Sequence, residues 1–322
     1  MKECHYLIAG GAGFIGSHLS EMLIKKGHRV SVIDNLSTGV KQNIEHLIDR
    51  DGFTFYRADI TETIDFSISP DTIVHMAAIA NPTDYEKKPV CSLSVNSEGN
   101  RNLLELAEKQ DSRYLFFSSS EIYGDHNPPP EFGLKEDMQS KTLLGHKRSP
   151  YFVGKMYGEE LVKNFCEGYA IEYLIVRPFN IYGPRMDRNS RYGRVIPNFI
   201  ERGLKEKPLL INGNGTQVRS FCFVSDVIGC LSEIFKKDHW AHDVVNIGNP
   251  DPVSIKELAE KINEITGNPS DHEFKDRFKH EPDYRMPNID LVKNWTDWTP
   301  TVSLNDGIEK TIEKDDILGE AK

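Results

Sequence analysis

The sequence GGAGFIG at residues 10–16 separates a short apolar stretch from an amphipathic one, and it decides the fold of the first half. Residues Cys4–Ala9 before it predict a buried strand, and Phe14–Lys26 predict a helix that ends before Gly27. The glycines at positions 10, 13 and 16 permit a tight turn and let the backbone approach a pyrophosphate, while the helix N-terminus supplies N–H groups. The order of strand, glycine turn and helix predicts a dinucleotide-binding unit.

Strand and helix signals continue to alternate up to about residue 177, as a doubly wound parallel sheet requires. A second helix is predicted over Leu93–Lys109, with one apolar face, and a third begins at Ser149-Pro150, where serine is the expected N-cap. We therefore expect an α/β fold with a Rossmann-type doubly wound parallel sheet in residues 1–177, including a helix over residues 150–168. The remaining predicted strands are Arg29–Ile33, Phe53–Arg57, Thr72–His75, Arg113–Ser118 and Ile171–Arg177.

Residues 178–322 predict a smaller α/β lobe that binds substrate, with some chain returning to the first domain. Loops rich in Gly, Asn and Pro separate its shorter helices, at Gly183–Gly193, Asn212–Thr216 and Asn246–Pro252. Such loops commonly carry binding residues on a rigid scaffold. The polar stretch Asp125–Arg148 contains three consecutive prolines and predicts a surface excursion. It either covers the substrate cleft or is a plain solvated loop.

The composition is that of a globular protein, with 38 % hydrophobic and 27 % charged residues in 322. The net charge of −10 disfavours nucleic acid and anionic membranes as partners. The five cysteines are scattered without a Cys-x-x-Cys pair, so we expect reduced thiols and no metal site. No apolar run approaches the ~20 residues of a membrane helix, and the first residues lead directly into a strand. We expect a cytoplasmic protein.

An acidic residue, Asp34, ends the second predicted strand, 18 residues after Gly16. A carboxylate at this place accepts hydrogen bonds from adenosine ribose hydroxyls and repels a 2′-phosphate. The sequence therefore predicts NAD, rather than NADP, as the cofactor.

Tyr151 and Lys155 are four residues apart on a predicted helix, so their side chains share one face. A phenol ionises near pH ~10, and a tyrosine base at neutral pH needs a cationic neighbour. Lowering its pKa by roughly three to four units takes about 4–5 kcal/mol, which an ammonium in a sheltered site can supply. The spacing also occurs by chance, but its place after five strand signals favours catalysis.

The sequence SSSEIYG at residues 118–124 follows the fifth predicted strand. Ligands bind at the carboxyl ends of strands in open sheets. Ser119 is expected to hydrogen-bond the reacting hydroxyl and to share its proton with Tyr151. Glu121, on the same turn, is a candidate acid for proton transfer. The alternative for Ser119 is a serine-rich turn without a catalytic role, and the alternative for Glu121 is an exposed surface glutamate.

The G-x-x-G-x-x-G spacing, together with the Tyr-x-x-x-Lys pair, resembles the extended short-chain dehydrogenase/reductase family over nearly the whole chain. The resemblance implies that residues 58–60 contact adenine, that residues 75–78 line the nicotinamide ribose, and that residue 96 supports the neighbouring helix and strand. The implied NAD-binding residues are Gly10, Gly13, Phe14, Ile15, Gly16, Asp34, Asn35, Ser37, Thr38, Asp59, Ile60, Ala77, Ala78, Ala80, Asn96, Ser118, Tyr151, Lys155 and Pro178.

The segment RPFNIYGPRM at residues 177–186 resembles the place where this family holds nicotinamide and the diphosphate of a nucleotide sugar. Residues 193–199 would cover the base. Arginines match the charge and geometry of a diphosphate, although each could instead form a surface salt bridge. The implied substrate-binding residues are Asn180, Arg185, Arg194, Val195, Gln217, Arg219 and Arg285.

Within the family, Ser119-Ser120-Glu121 resembles the Thr-Ser-Glu of UDP-glucuronate decarboxylases and of GDP-mannose 4,6-dehydratases. It differs from the Thr-Asp-Glu of dTDP-glucose 4,6-dehydratases. Several other stretches are most similar to UDP-glucuronate decarboxylases. However, residues 151–155 read YFVGK, whereas decarboxylases usually have Tyr-Asp-Glu-Gly-Lys, and this version is closer to dehydratases and epimerases.

The resemblance implies an NAD-dependent enzyme that modifies a nucleotide sugar, most similar to those using UDP-sugars, through a 4-keto intermediate. Decarboxylation or dehydration is the leading expectation, a 4-epimerase is the alternative, and a non-catalytic NAD-binding protein is a remote one. Relatives are typically homodimers, joined by a four-helix bundle from residues 93–109 and 151–168. The expected catalytic residues are Ser119, Ser120, Glu121, Tyr151 and Lys155.

Overall fold

A computed structural model describes residues 3–186, 194–240, 243–277 and 281–319. The chain forms two compact units. Unit 1 consists of Met1–Ser119, His146–Arg177 and Leu231–Val245. Unit 2 consists of Ser120–Gly145, Pro178–Cys230 and Asn246–Lys322.

The strands are mostly short and rich in β-branched and aromatic residues. They are β1 His5–Ala9, β2 Arg29–Ile33, β3 Phe53–Tyr56, β4 Thr72–His75, β5 Arg113–Phe117, β6 Tyr173–Pro178, β7 Ile181–Tyr182, β8 Leu210–Asn212, β9 Val218–Ser220, β10 Cys222–Phe223, β11 Val244–Ile247, β12 Pro252–Ser254, β13 Glu273–Lys275 and β14 Tyr284–Arg285.

The α-helices connect some of the strands and follow one another between β4 and β5, and the described residues also form short 3₁₀ turns at 41–43, 45–47 and 120–123. They are α1 Phe14–Lys25, α2 Pro82–Lys87, α3 Pro89–Asn96, α4 Glu98–Gln110, α5 Ser149–Tyr169, α6 Val195–Leu204, α7 Val224–Phe235, α8 Ile255–Thr266, α9 Asp290–Thr296 and α10 Leu304–Gly319.

A seven-stranded sheet in the order β11-β6-β5-β4-β1-β2-β3 forms the centre of the fold. The pairs from β3 to β6 all run parallel. The doubly wound Rossmann-type fold is therefore confirmed. The strands β2, β4 and β5 bury nearly every residue, which is why they read as apolar runs rather than as alternating patterns. The edge strand β11 was missed, because its last two residues, 246 and 247, were predicted as the start of a loop.

The helix predicted over residues 93–109 is wrong as a single element, because it is interrupted at Ser97 between α3 and α4. The Ser97 hydroxyl donates to the carbonyl of Leu93 at 3.0 Å, and the Asn96 amide donates to Ser92 at 2.9 Å. Side chains of this kind compete for backbone groups and bend helices. The apolar face was predicted correctly, since Leu103, Leu104 and Ala107 are fully buried in the core on the sheet.

The start of α5 also differs from the prediction. Ser149 is the first helical residue, and Arg148 occupies the N-cap without a capping side chain. The Ser149 hydroxyl instead accepts the His146 N–H at 3.0 Å, which ties the preceding loop to the helix. Pro150 lies in the first turn as expected, because its missing N–H costs nothing there.

Unit 2 contains its own apolar core around α6, α8 and the residues near α10. Helix α8 begins with a capping box, in which the Ser254 hydroxyl accepts from the Glu257 N–H at 3.1 Å. The Glu257 carboxylate accepts from the Ser254 N–H at 2.8 Å in return. Its sheets are small, with β12-β9-β14 the largest of those described.

Among the described residues, no helix combines the length and the apolar character that crossing a membrane requires.

Candidate functional site

A pocket in unit 1 lies at the carboxyl ends of the parallel strands, where the strand order reverses between β4 and β1. Connections leave such a point toward opposite sides and open a crevice that binds ligands. The loops after β1, β2, β3 and β4 form its walls. Its lining includes the predicted residues Gly10, Gly13, Asp34, Asn35, Ser37, Thr38, Asp59, Ile60, Ala77 and Ala78.

The other predicted cofactor residues are not part of this lining in the described chain. Phe14, Ile15 and Gly16 form the first turn of α1, Ala80 is exposed after β4, and Asn96 ends α3. Ser118 directly follows β5, Pro178 ends β6, and Tyr151 and Lys155 lie on α5.

The glycine turn has no space for side chains. A Cβ atom on Gly10, whose φ is +83°, would lie 2.6 Å from the backbone nitrogen of Ala77, and one on Gly16 would collide with the Gly10 carbonyl. Helix α1 begins after Gly13 with no capping side chain and no acidic residue in its first turn. Its N–H groups and partial positive charge thus suit an anionic ligand. The turn fits the pyrophosphate of a dinucleotide.

Two carboxylates lie at the other side of the pocket. Asp34 is 8 % exposed, accepts the N–H groups of Ala12 at 3.0 Å and Leu36 at 2.9 Å, and has a pKa that burial raises. Asp59 accepts the Asn35 amide at 2.7 Å. Burial opposes ionisation of Asp59, but hydrogen bonds from Thr61 and Asn35 outweigh it and lower the pKa. Acceptors here suit ribose hydroxyls and disfavour an added phosphate.

The catalytic pair predicted from the sequence lies on the buried face of α5. Lys155 is 1 % exposed, and its Nζ donates to the Phe117 carbonyl at 2.6 Å and lies 4.8 Å from the centre of the Phe116 ring. Burial lowers the pKa of Lys155 to about 7, and the charge of Glu159 acts in the opposite direction. Tyr151 is 8 % exposed on the same face. The lysine is therefore held rigidly and can lose its proton near neutral pH.

Two serines follow β5 at its carboxyl end. Ser118 is 3 % exposed, and its Oγ has no hydrogen-bond partner among the described residues. Ser119 is also buried, with 7 % of its surface exposed. Because buried hydroxyls are nearly always hydrogen-bonded, the Ser118 hydroxyl fits a bound ligand that satisfies it.

The turn over Ser120–Tyr123 carries Glu121 in unit 2 and is anchored from below. The Tyr123 hydroxyl donates to the side chain of Asn246 at 2.7 Å. The Asn246 amide in turn donates to the carbonyls of Leu134 at 2.9 Å and Asn288 at 3.2 Å. Asn246 is fully buried, so this network fixes the turn and the backbone of Glu121.

Unit 2 brings together two arginines that are 66 residues apart in sequence. Strands β9 and β14 pair so that Arg219 and Arg285 lie directly opposite each other. Arg285 Nη1 lies 3.6 Å from Glu121 Oε1, while its buried Nε has no hydrogen-bond partner among the described residues. Burial, and then the charge of Arg285, lower the pKa of Arg219 to about 10. Adjacent buried cations with an unsatisfied donor suit an anionic ligand.

Arg219 is largely satisfied by the protein. It donates to the carbonyls of Val218 at 2.8 Å and Pro282 at 2.9 Å and to Glu281 at 3.2 Å. The other predicted substrate residues are dispersed over unit 2. The Asn180 amide donates to Ser220 at 2.9 Å and the Gln217 amide to Asn212 at 2.8 Å. Arg185, Arg194 and Val195 are half-buried around the segment 187–193, which lies outside the described residues, as does the glycine of the predicted base cover at 193–199.

The residues that depart from the decarboxylase pattern occupy another side of α5. Phe152 follows Tyr151 by one position, about 100° around the helix, is 4 % exposed, and packs 5.6 Å from the ring of His146. Val153 is half-buried. Phe152 therefore contributes to packing at the start of the helix.

Sequence reasoning missed two neighbours of the pair. Tyr85 on α2 stacks on Tyr151, with ring centres 5.3 Å apart and planes inclined by 14°. No pattern links residues 66 positions apart. Glu159 is paired with Arg177 from β6 at 2.7 Å. Its spacing of four residues from Lys155 could have predicted that the two side chains share one helix face. A glutamate in a helix is usually solvent-exposed, however, so there was no reason to expect it in the site.

Comparisons with known proteins agree with this geometry. The model of the NAD dependent epimerase/dehydratase family matches residues 6–248. UDP-glucuronic acid decarboxylase 1 of Arabidopsis thaliana is 37 % identical over 311 residues, which cover 97 % of this chain and 69 % of that protein. The corresponding protein of Xenopus tropicalis is 36 % identical over 311 residues, covering 95 % and 70 %.

Solved structures of similar shape include nucleotide-sugar epimerases. UDP-glucose 4-epimerase of Thermotoga maritima with UDP-glucose has a TM-score of 0.88 and 29 % identity, covering 98 % of this chain and 99 % of that one. UDP-glucuronic acid 4-epimerase of Bacillus cereus, with UDP-glucuronic acid and NAD, has a TM-score of 0.85 and 28 % identity, covering 98 % and 99 %. This chain belongs to the NAD-dependent epimerase/dehydratase family of enzymes, and its cofactor is NAD.

Proposed function

We propose that this enzyme is a lyase that decarboxylates UDP-glucuronate through a 4-keto intermediate. The observation that carries the proposal is the pairing of Glu121 with Arg285, which lies beside Arg219. Glu121 is next in sequence to the serines that follow β5. A carboxylate and two arginines provide an acid near the sugar and cations for an anionic substrate. The decarboxylases of Arabidopsis and Xenopus support the same substrate.

Oxidation at C4 of the sugar is the first step. Tyr151 removes the C4 hydroxyl proton, and the Lys155 ammonium stabilises the phenolate that must form beforehand. Ser119 hydrogen-bonds the same hydroxyl and orients it. The chemistry that bound NAD supplies is reversible acceptance of a hydride. Glycines 10, 13 and 16 would hold its pyrophosphate, and Asp34 and Asp59 its adenosine end.

The keto group at C4 makes the C5 carboxylate labile. The bond between C5 and C6 breaks, carbon dioxide leaves, and its electron pair passes into the C4 carbonyl as an enolate. Glu121, assisted by Ser120, then delivers a proton to C5. Reduction of the C4 ketone reverses the first step, with Tyr151 returning the proton. In this proposal Arg219 and Arg285, with Asn180, Arg185, Arg194, Val195 and Gln217, hold the nucleotide sugar.

A 4-epimerase is the second candidate. The solved structures of similar shape favour it, and so does the YFVGK sequence at residues 151–155. In that case the keto sugar rotates within the site and its C4 ketone is reduced on the other face. A dehydratase, in which Glu121 moves the C5 proton and water leaves, uses the same residues.

Turnover in deuterated water separates these reactions. We expect UDP-glucuronate to release carbon dioxide and to give a pentose carrying one deuterium at C5, detected by mass spectrometry and NMR. A 4-epimerase leaves C5 unlabelled and releases no gas. Parallel assays use UDP-glucose, UDP-N-acetylglucosamine and GDP-mannose. Failure to convert any of the four, with NAD demonstrably bound, would contradict the substrate assignment.

The variant Glu121→Gln tests the later steps. The amide keeps the shape of the side chain but cannot transfer a proton. We expect absorbance at the NADH band to rise on adding UDP-glucuronate while product formation falls by roughly 10²-fold or more. Glu131→Gln in the same unit is the matched control, because this side chain is exposed. Full turnover by Glu121→Gln would make Glu121 a bystander.

We propose in addition a cytoplasmic homodimer. All five cysteines are free, which suits a reducing compartment. Helix α5 exposes Tyr157, with 53 % of its surface accessible, on the side away from the buried Lys155. Light scattering on the purified protein should give twice the 36.6 kDa chain mass, and Tyr157→Glu should give the monomer.

A further inference from the structure

Three ionisable residues repeat at intervals of four along α5, namely Tyr151, Lys155 and Glu159. Residues at this spacing lie one above another on a helix. All three are buried, with exposed fractions of 8 %, 1 % and 9 %. The sheltered face of the helix therefore presents an acid directly beyond the lysine, on the side away from the tyrosine.

Among the described residues, few other groups near Lys155 favour its charged form. Phe117 on β5 provides one carbonyl acceptor at 2.6 Å, and Phe116 the face of its ring. His75 on β4 is fully buried and its pKa is lowered to about 3, so it is neutral at physiological pH. The polar residues that α3 and α4 turn toward α5 are uncharged: Ser92 and Asn96, near Gly154, and Asn100, bonded to Gly158. From α2 comes the phenol of Tyr85.

Glu159 is the charged group that opposes the effect of burial on Lys155. Its carboxylate is held in place by Arg177 of β6, whose Nε and Nη2 donate to its two oxygens at 2.9 and 2.7 Å. Both side chains are 11 % exposed, so neither rotates freely into solvent. A bidentate arginine pair of this kind fixes both the charge and its position.

We propose that Glu159, clamped by Arg177, keeps Lys155 in its ammonium form and so enables Tyr151 to act as the base. Glu159 is a positioning residue, since it acts through the lysine. This inference rests on the proposed role of the tyrosine–lysine pair. It goes beyond that role because it names Glu159, one helical turn beyond Lys155, as the side chain that keeps Lys155 protonated.

The test measures the titration of Lys155 directly, in protein without sugar. Lysine labelled with ¹³C at Cε is incorporated, and the Lys155 signal is assigned with Lys155→Arg. We expect Glu159→Gln to lower the pKa of Lys155 by about one unit, because the favourable charge is lost while Arg177 remains. Glu159→Asp should restore most of the difference, since it keeps the carboxylate.

A second variant guards against failure of Glu159→Gln to fold, since that change leaves a buried arginine without its counter-ion. The double variant Glu159→Gln with Arg177→Gln replaces the ion pair by two neutral amides that can hydrogen-bond each other. It should lower the pKa of Lys155 by less than the single change, because a repelling cation is removed as well. An unaltered Lys155 titration in these variants would overturn the inference.

Rates with UDP-glucuronate separate this inference from the proposed function. We expect the alkaline limb of the pH–rate profile to move to lower pH in Glu159→Gln and to return toward its original place in Glu159→Asp. A shifted Lys155 titration with no turnover of UDP-glucuronate by the parent enzyme would support the inference and refute the substrate. Turnover of UDP-glucuronate together with an unshifted Lys155 titration would support the substrate and refute the inference.

Discussion

The pocket of unit 1 and the arginine pair of unit 2 provide different means of recognising the ligands that we propose for them. In unit 1, glycines without side chains, helix N–H groups and two backbone-bound carboxylates form the lining. In unit 2, long charged side chains from separate segments meet across neighbouring strands, at Arg219 and Arg285. Backbone recognition depends on a contiguous stretch of chain, whereas side-chain recognition depends on tertiary pairing.

This difference suits the two ligands. A dinucleotide that stays bound through the reaction needs a fixed shape, and a backbone turn that admits no Cβ provides it. A nucleotide sugar must enter and leave at each turnover. Arginines that are partly satisfied by the protein, as Arg219 is, can hold a diphosphate without requiring it for folding.

The largest expected effect lies in unit 1, at Tyr151. Tyr151→Phe retains the ring and its stacking on Tyr85 but removes the ionisable hydroxyl. We expect kcat to fall roughly 10²–10⁴-fold, the contribution typical of a positioned acid–base group. The affinity for NAD, measured by calorimetry, should change less than about threefold, because the backbone turn is untouched. This combination would show that cofactor binding and chemistry are separable.

The matched control for this change is Tyr157→Phe, on the same helix but with 53 % of its surface exposed. Its kcat should equal that of the parent enzyme. Retention of more than a tenth of the activity by Tyr151→Phe would mean that another group takes the proton.

The next effect is expected in unit 2. Arg285→Met removes the cation that faces Glu121 and Arg219 while keeping much of the side-chain volume. A hydrogen bond to a charged group contributes about 1.5–3 kcal/mol, so KM for the nucleotide sugar should rise roughly 10- to 100-fold. The affinity for NAD should stay the same. An equal loss of NAD affinity would break the distinction between the two kinds of recognition.

Arg202→Met is a suitable control for this substitution. Its guanidinium lies in the same unit and donates to the Pro208 carbonyl at the surface. KM should be unaffected, because a surface contact of this kind contributes little. A similar rise in both variants would indicate a general effect of charge on substrate attraction.

The sequence predicted most of the fold of unit 1, because the glycine turn and the strands β1 to β6 carry local signals. Strands β2 and β4 begin and end where expected, at Arg29–Ile33 and Thr72–His75. The interruption of the helix at Ser97 was not predicted, since it depends on hydrogen bonds of single side chains. Unit 2 was predicted only as a class, because strands of two or three residues leave no periodicity to read.

Prediction of the candidate site follows the same division. The glycine turn, Asp34 and the Tyr151–Lys155 pair could be predicted because the spacing of each is fixed by local geometry. The pairing of Glu121 with Arg285, and the bond between Tyr123 and Asn246, could not be predicted. These contacts depend on how distant segments are brought side by side, which one sequence does not reveal.

The smallest expected effect is on the free energy of unfolding, and it tests whether Lys155 is buried in unit 1. Burial lowers the pKa of Lys155 to about 7 in the folded protein, against its ordinary value of 10.5 in the unfolded chain. Between these values the unfolded chain binds more protons than the folded one, so this residue makes stability rise with pH. Below pH ~7 both states carry the ammonium, and the cost of burying it is paid in full.

Lys155→Met should therefore be more stable than the parent at pH 6, and its advantage should shrink by about 2 kcal/mol between pH 7 and 9. Urea unfolding of both proteins at pH 6, 7, 8 and 9 measures this difference, and effects of other titrating groups cancel in it. Lys163→Met, exposed on the same helix, serves as the control and should show a constant difference. A constant difference for Lys155→Met as well would mean that water reaches the lysine, and that unit 1 does not shelter the proposed catalytic pair.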